Sequence, residues 1–399
     1  MEWEERMCII SGSYQSIDSK PPRTTVELWC RSQAGHSVVL LVNGLRPYFD
    51  IAPRGAPRPD EKVSLDGVLS ISEVVDIEGP VTKWTRHGEK RHWRVYADQP
   101  YSVRRLRKKL EDWEVTSADI PFQNRLMLDL DLGPHINARG RVLWAGERAP
   151  EEAKNDSTTD RHAAEISIAD VGGAGIYPVD MIVSCELGGL SRTEPFPAPF
   201  VTFSFDLETS IATNRILCAA AVVDRAGERS EHEFKGEERE IMEGLTSLVR
   251  ESDPDFITGY NIDNFDLPRM EERAEVICPR PKYNRSPLFG WGRVPMNEGE
   301  GKRIFPTRQQ NRVWRIPGRI PMDAWWQARQ TLRPQRESLR YVSQLLWPDE
   351  EGKQKLDVDA SKMDEEWASR PDVVMEYCVR DTHLPLDILG HLKAIARKE

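Results

Sequence analysis

The chain has 399 residues, of which 39% are hydrophobic and 30% are charged, and its formal net charge is −10. This length allows two or three domains with cores of their own, and the acidic balance argues against a non-specific nucleic-acid binder. No apolar stretch is long enough to span a membrane, the charged N-terminus is unlike a signal peptide, and the six scattered cysteines indicate neither a disulfide framework nor a zinc cluster. We therefore expect an intracellular protein with reduced thiols.

Residues 1–145 are predicted to form a small mixed α+β domain. Strands are expected at 25–30 and 37–42, and the Asn43-Gly44 dipeptide after the second strand favours a tight turn. Apolar residues three and four positions apart then predict a helix over 102–113. Residues 146–198 are expected to contain a linker and accessory strands, because residues 147–165 are polar and poor in large apolar side chains.

From residue 199 to residue 399, predicted strands and helices alternate, which is typical of an α/β domain with a sheet covered by helices. The predicted strands are 201–207, 216–224 and 256–260, and the predicted helices are 238–250, 337–346 and 372–393. Asp323 is in a suitable position to cap a further helix that begins at Ala324.

Two stretches of the chain contain more basic than acidic residues. Ten lysines and arginines lie between residues 83 and 109, against two acidic residues, and a second basic stretch spans residues 302–340. Trp314, Trp325 and Trp326 lie within the second stretch, and this mixture of cations and aromatic rings is typical of single-strand binding. Each stretch is equally compatible with an ordinary solvated surface.

Carboxylates at three places in the second half suggest a metal site. Asp206 and Glu208 lie in an apolar run and share one face of the predicted strand, since side chains alternate along a strand. Asp266 comes shortly after the strand at 256–260, and Tyr377 and Asp381 lie four residues apart on one face of the last helix. Each pattern alone is common by chance. Together, and in this order, they fit hydrolysis of a phosphodiester by two divalent cations.

These segments resemble a known set of motifs. Phe-Asp-Leu-Glu at 205–208, Tyr-Asn-Ile-Asp-Asn-Phe-Asp-Leu-Pro at 260–268 and Tyr-Cys-Val-Arg-Asp at 377–381 are similar to the Exo I, Exo II and Exo III motifs of the proofreading exonuclease of family B DNA polymerases. Flanking residues at 318–323 and upstream residues at 46–49 resemble the archaeal and eukaryotic delta-like branch. The resemblance implies the family's N-terminal domain over 1–145 and a ribonuclease H-like (DnaQ-like) exonuclease domain with a mixed sheet over 199–399.

The resemblance also implies roles for five side chains. Asp206 would bridge two Mg²⁺ or Mn²⁺ ions, and Glu208 would be a ligand that also helps to position the attacking water. Asp381 would bind the first ion and Asp266 the second, while Tyr377 would orient the water through its hydroxyl. The implied reaction is 3′–5′ exonuclease cleavage of DNA, with release of nucleoside monophosphates.

Further residues are implied to contact DNA. Asn261, Asn264 and Phe265 would lie against the terminal nucleotides of a single strand or a frayed primer 3′ end. Residues 288–315 correspond to the family's exonuclease hairpin, which helps to part the primer strand. The archaeal branch also captures uracil in the template with its N-terminal domain, and the residues in matching segments are Pro47, Pro100, Ile120, Pro121 and Phe122. The alternative is that these five residues simply pack the domain.

No segment resembles the palm motifs of the family, so the sequence predicts no polymerase active site in this chain. The favoured hypothesis is one subunit of a split polymerase, with a separate chain that supplies the palm and thumb and, through it, a sliding clamp. An excised fragment and a freestanding nuclease are alternatives. The alternative functions are a DNA-binding scaffold with little nuclease activity, or an RNase on the same fold. No membrane partner is expected, and the protein would be located in the cytoplasm (nucleoid) of a prokaryote or the nucleus of a eukaryote.

Overall fold

The computed structural model of the protein describes residues 3–17, 23–55, 62–85, 88–158, 160–279, 285–296, 305–309, 313–350 and 358–395. Outside these residues lie parts of the predicted hairpin and four cations of the basic stretches: Arg86, Lys302, Arg303 and Arg312. The strands in chain order are β1 (Trp3–Ile17), β2 (Arg23–Ser32), β3 (Ser37–Asn43), β4 (Tyr48–Pro53), β5 (Val74–Thr85), β6 (Gly88–Ala97), β7 (Trp113–Thr116), β8 (His135–Ala145), β9 (Met181–Glu186), β10 (Leu190–Arg192), β11 (Val201–Thr209), β12 (Ile216–Arg225), β13 (Glu228–Phe234), β14 (Phe256–Thr258), β15 (Thr307–Gln309), β16 (Val313–Arg315) and β17 (Ile320–Pro321). The helices are α1 (Asp66–Leu69), α2 (Pro100–Lys109), α3 (Phe122–Asp129), α4 (Glu151–Asp156), α5 (Arg161–Asp170), α6 (Glu238–Ser252), α7 (Asp266–Ile277), α8 (Ala324–Leu332), α9 (Leu339–Leu346), α10 (Met363–Ser369) and α11 (Pro371–His391).

Five strands of the first half close into a barrel. β1 pairs with both β2 and β8, so that the order β1-β2-β3-β9-β8 returns to β1, and β10 extends the sheet beyond β8. β3 and β9 are parallel, and the other neighbours are antiparallel. Alternate side chains of these strands fill the interior, and Met7, Val26, Leu28 and Leu40 are at most 2% exposed. Closure leaves these five strands without a free edge.

A second sheet is inserted between β3 and β8. Its order is β5-β6-β4-β7, its neighbours are antiparallel, and α1 and α2 pack against it. The core between the sheet and these helices includes Phe49, Ile51, Val95 and Leu106, all 0% exposed. The helix predicted over 102–113 begins earlier, because Pro100 is a favourable first helical residue, and ends at Lys109.

The second half contains a five-stranded mixed sheet of order β13-β12-β11-β14-β17. β13, β12 and β11 are antiparallel, whereas β11, β14 and β17 run parallel. Helices α6 and α11 pack against the sheet, and Phe203, Phe205, Leu245 and Ile257 are fully buried in the core on the α6 side. This architecture confirms the predicted α/β fold with a mixed sheet covered by helices.

Two segments differ from the sequence expectation. Residues 147–165, expected as a linker, contain α4 and the start of α5, and the Asp160 carboxylate caps α5 by accepting from the backbone N–H groups of His162 and Ala163. Strand β13 is not predicted by its sequence, because its residues Glu-Arg-Ser-Glu-His-Glu-Phe lack an apolar pattern. β13 lies at the edge of the sheet and pairs with β12, and edge strands tolerate such charged side chains.

Buried ion pairs connect the barrel to the mixed sheet. We call them the ionic cluster, which comprises Arg31, Arg293, Arg319, Asp253 and Asp255, all at most 4% exposed. Arg31 on β2 donates through Nε and Nη2 to Asp255, over 2.9 and 2.8 Å. Asp255 directly precedes β14 and also accepts from the backbone N–H of Val201 at the start of β11. Arg293 donates to both aspartates, over 2.7 and 2.9 Å. Charged groups therefore join the two halves through a closely packed junction.

Candidate active site

The first two predicted ligands lie on β11, the middle strand of the mixed sheet. Phe205 and Leu207 point into the core, so the alternation of the strand directs Asp206 and Glu208 to the opposite face, where both are partly exposed. Carboxylate oxygens of Asp206 and Glu208 and the Sγ atom of Cys378 on α11 lie within 4.8 Å of one another. The strand periodicity thus brings Asp206 and Glu208 together, as the sequence predicts.

A cavity of about 400 Å³ opens beside these carboxylates. Six of the eight predicted site residues line it: Asp206, Glu208, Asn261, Phe265, Tyr377 and Asp381. The other two, Asp266 and Asn264, are not in its lining. Asn264 contacts a residue of the lining, because its side-chain amide donates to Asn261 Oδ1 over 2.9 Å. β11, the loop after β14 and α11 therefore converge on one site.

Asp266 is buried behind the cavity as the first residue of α7, and it is 2% exposed. Its Oδ1 accepts from the backbone N–H of Leu207, between the two carboxylates of β11, over 3.2 Å. Burial raises its pKa well above the ordinary range, and the negative charges of Asp206 and Asp323 raise it further. A bound cation would relieve this repulsion, because it would add a positive charge next to Asp206 and Asp266.

Tyr377 and Asp381 come from α11, where their four-residue spacing brings them to one face. They are 4% and 5% exposed. Burial raises the pKa of the Tyr377 hydroxyl far above its ordinary value, and the charges of Asp381, Glu208 and Asp206 act in the same direction. The hydroxyl therefore stays protonated at neutral pH and remains a hydrogen-bond donor.

Asp323 organises the loop between β14 and α7, a role that its position as a predicted helix cap did not reveal. Its carboxylate accepts from the backbone N–H groups of Asn261, Asp263 and Trp325, over 2.8, 3.1 and 2.9 Å. Burial raises its pKa to about 6, although the three backbone donors act in the opposite direction. One buried carboxylate thus fixes both the loop that contains Asn261 and the start of α8.

The same loop begins with a close backbone approach at Gly259. A Cβ atom at this position would lie 2.5 Å from the carbonyl oxygen of Phe205 and 2.4 Å from a methyl group of Ile262. Both distances are too short for a side chain, so glycine is required for the loop to pass next to β11. Phe205 directly precedes Asp206, and the approach therefore occurs beside the first carboxylate.

The residues present fit a hard divalent cation. The four predicted ligands Asp206, Glu208, Asp266 and Asp381 are carboxylates, the ligand type that Mg²⁺ and Mn²⁺ prefer. Burial raises the pKa of the nearby Cys378 thiol, and its hydrogen bond with Cys218 raises it further. A protonated thiol is a poor ligand, so Cys378, one of the thiols predicted to be reduced, leaves the oxygen chemistry unchanged.

Comparison with known proteins finds a family to which part of the chain is similar. A model of the family described as "DNA polymerase family B, exonuclease domain" matches residues 233–342. This part of the chain is therefore similar to the exonuclease domain of family B DNA polymerases. The match includes the segment with Asn261, Asn264, Phe265 and Asp266, whereas the other predicted site residues lie outside it.

Individual relatives extend the similarity along the chain. A DNA polymerase of Archaeoglobus fulgidus is 27% identical over 274 residues, which cover 67% of this chain and 30% of that protein. The delta catalytic subunit of Drosophila melanogaster is 25% identical over 433 residues, which cover 94% of this chain and 38% of the relative. The chain therefore spans about a third of the length of these curated relatives.

A solved structure supports the fold. The family B DNA polymerase of Pyrobaculum calidifontis superposes with a TM-score of 0.66 and 22% sequence identity, over 96% of this chain and 46% of that one. These comparisons confirm the predicted family and the mixed-sheet, ribonuclease H-like exonuclease fold. Among the described residues, no helix is both long and apolar enough to cross a membrane.

Proposed function

We propose that this chain is a metal-dependent 3′–5′ exonuclease that removes nucleoside monophosphates from the end of a DNA strand. The observation that supports this function most directly is the single cavity lined by Asp206, Glu208, Tyr377 and Asp381. The Asp266 carboxylate lies next to this cavity, because it accepts a hydrogen bond from the backbone N–H of Leu207. An acidic concave site of this kind suits phosphodiester hydrolysis, because phosphate binding there depends on divalent cations.

Four carboxylates would hold the two Mg²⁺ or Mn²⁺ ions: Asp206, Glu208, Asp266 and Asp381. When bound, such ions activate water and stabilise the oxygen that leaves the phosphate. The side chains contribute orientation. The Tyr377 hydroxyl, which is hydrogen-bonded to Asp381, can accept a hydrogen bond from the attacking water, and the Glu208 carboxylate can accept one of its protons. Two contacts from different elements would align the water with the phosphorus atom.

Residues of the loop after β14 would hold the terminal nucleotides. Asn261 and Phe265 line the cavity, and Asn264 bonds to Asn261. Arg308 on β15 donates to Asn264 over 3.4 Å, so the β15–β16 pair is in contact with this loop. These contacts suit a strand end that enters without its complement, since side-chain amides and aromatic rings require exposed base edges and faces.

A gel assay with 5′-labelled single-stranded DNA and Mg²⁺ tests the proposed function. We expect stepwise shortening by the full chain and a loss of roughly 100-fold or more in rate for Asp206→Ala. Asp387→Asn is the matched control, because Asp387 lies on the same helix as Asp381 and pairs with Arg229 over 2.9 Å, away from the cavity. Unchanged shortening by Asp206→Ala would contradict the proposal.

The same assay separates the alternative functions. A DNA-binding scaffold would leave the labelled strand intact, and an RNase would shorten an RNA strand of the same sequence faster than the DNA. The separate palm-and-thumb chain and the sliding clamp remain predictions from the sequence.

A further inference from the structure

An aromatic side chain that the family resemblance did not assign also lines the cavity. Trp325 is the second residue of α8 and faces the cavity that Asp206, Glu208 and Asp381 line. In the sequence, Trp325 lies within the second basic stretch, far from the predicted carboxylate ligands Asp206 and Glu208. The structure assigns it to the same cavity.

The indole is held in a fixed position relative to the predicted metal ligands. The backbone N–H of Trp325 donates to Asp323, the carboxylate that also accepts from Asn261 and Asp263. The adjacent Trp326 packs against Trp325 edge to face, with ring centroids 4.6 Å apart. A backbone hydrogen bond and a ring contact thus place Trp325 beside the loop before Asp266, which reduces the ordering that ligand binding would require.

A cation packs against the same indole. The guanidinium carbon of Arg329, one helical turn after Trp325, lies 5.1 Å from its ring centroid. Glu337 Oε1 contacts Arg329 Nε at 3.1 Å and Glu337 also lines the cavity. This arrangement combines an aromatic surface with a nearby positive charge, and the combination is typical of side chains that bind single-stranded nucleic acid.

We propose that Trp325 stacks on the base of the 3′-terminal nucleotide and thereby selects unpaired strand ends. The inference rests on the proposed function, because it assumes that a strand end enters the cavity. A base within a duplex is stacked on its neighbours and hydrogen-bonded to its partner, so it must leave the helix before it can contact the indole. A frayed or mismatched end requires less energy for this step, and stacking on Trp325 would turn that difference into substrate preference.

Phe265 is another aromatic residue that lines the same cavity. It is 40% exposed directly before Asp266, and the guanidinium of Arg269 lies 5.8 Å from its ring centroid. Two aromatic side chains, each close to an arginine, thus line one cavity. Stacking contacts of this kind accept any base, which is appropriate for an enzyme that removes all four nucleotides.

Binding measurements without cleavage test the role of Trp325. The full chain with Asp206→Ala, in Mg²⁺ buffer, is titrated with two fluorescent single strands that differ only in the last nucleotide, which is either intact or lacks its base. Trp325→Leu keeps an apolar side chain without a ring, and Trp325→Phe keeps a ring. Trp84→Leu is the control, since Trp84 on β5 is 80% exposed and outside the cavity.

We expect Trp325→Leu to weaken binding of the intact strand by roughly 5- to 100-fold and to leave binding of the strand without the terminal base unchanged. Trp325→Phe should retain most of the affinity, and Trp84→Leu all of it. An equal loss of affinity for both strands would overturn the inference, because it would indicate a structural role for Trp325. An unchanged affinity for both strands would also overturn it. Since no cleavage is measured, these outcomes are independent of whether the wild-type chain shortens DNA.

Discussion

The two ends of β14 contain carboxylates in opposite electrostatic environments. Asp253 and Asp255 precede the strand and belong to the ionic cluster, where three arginines neutralise them. Asp266 follows the strand and the loop after it, close to the charge of Asp206. Both groups are buried, so burial alone does not distinguish them.

The pKa values of these carboxyl groups move in opposite directions. Burial by itself would raise the pKa of Asp253, but Arg293, Arg319 and Arg31 hold it far below its ordinary range. At Asp266, burial raises the pKa and the neighbouring carboxylates raise it further. Carboxylates paired with arginine stabilise the junction, whereas carboxylates that repel one another form a site that a cation can complete. This contrast predicts opposite effects of equivalent substitutions.

The largest effect is expected at the ionic cluster. Asp255→Asn removes a charge that Arg31 and Arg293 both contact, and it leaves their guanidinium groups buried without it. We expect the free energy of unfolding to fall by about 3–5 kcal/mol, measured by urea denaturation. Asp66→Asn is the exposed control and should change it by less than about 0.5 kcal/mol. A similar small change for Asp255→Asn would mean that the cluster is not needed for stability.

An intermediate effect is expected at Asp323, as a dependence of stability on pH. Its pKa is raised from 3.8 to about 6, so the folded state retains a proton that the unfolded chain releases above about pH 4. The resulting stabilisation is complete below pH 4 and is lost as the pH rises through 6. Relative to Asp323→Asn, the wild-type chain should therefore lose roughly 2 kcal/mol between pH 4 and pH 7, measured in urea with EDTA. A difference that stays constant across this range would show that Asp323 does not titrate there.

The smallest effect, and of opposite sign to the first, is expected at Asp266. Without metal, burial and the charge of Asp206 disfavour the ionised form of Asp266, so Asp266→Asn should raise the free energy of unfolding by about 1 kcal/mol. The same variant should lose most of the stabilisation that the wild-type chain gains from added Mg²⁺, as followed by thermal unfolding with and without EDTA. A loss of stability in EDTA would show that Asp266 belongs with Asp255 as a structural group.

The sequence predicted the elements whose pattern is local. The apolar alternation of β11 and the four-residue spacing of Tyr377 and Asp381 correctly predicted a strand and a helix that face one cavity. The polar strand β13 lacked such a pattern, because its pairing with β12 is a long-range contact that the local sequence does not encode.

The residues that the sequence analysis missed at the site act through long-range contacts. Asp323 looked like an ordinary helix cap, yet its carboxylate also holds two backbone N–H groups about sixty residues earlier in the chain. Trp325 had a recognisable signal, an aromatic residue next to a capped helix start, but its proximity to Asp206 depends on how β14 and β17 lie side by side in the sheet. Such pairings become visible only once the chain is folded.

Because Gly259 has no side chain, few substitutions at this position are compatible with the present site. Random mutation offers this codon many replacements, but each of them adds a Cβ that would lie 2.5 Å from the carbonyl oxygen of Phe205. A lineage that accepted one would have to move the loop away from β11, and Asn261 would move with it away from Asp206. Glycine is therefore expected at position 259 in every descendant that keeps Asn261 at its present distance from Asp206.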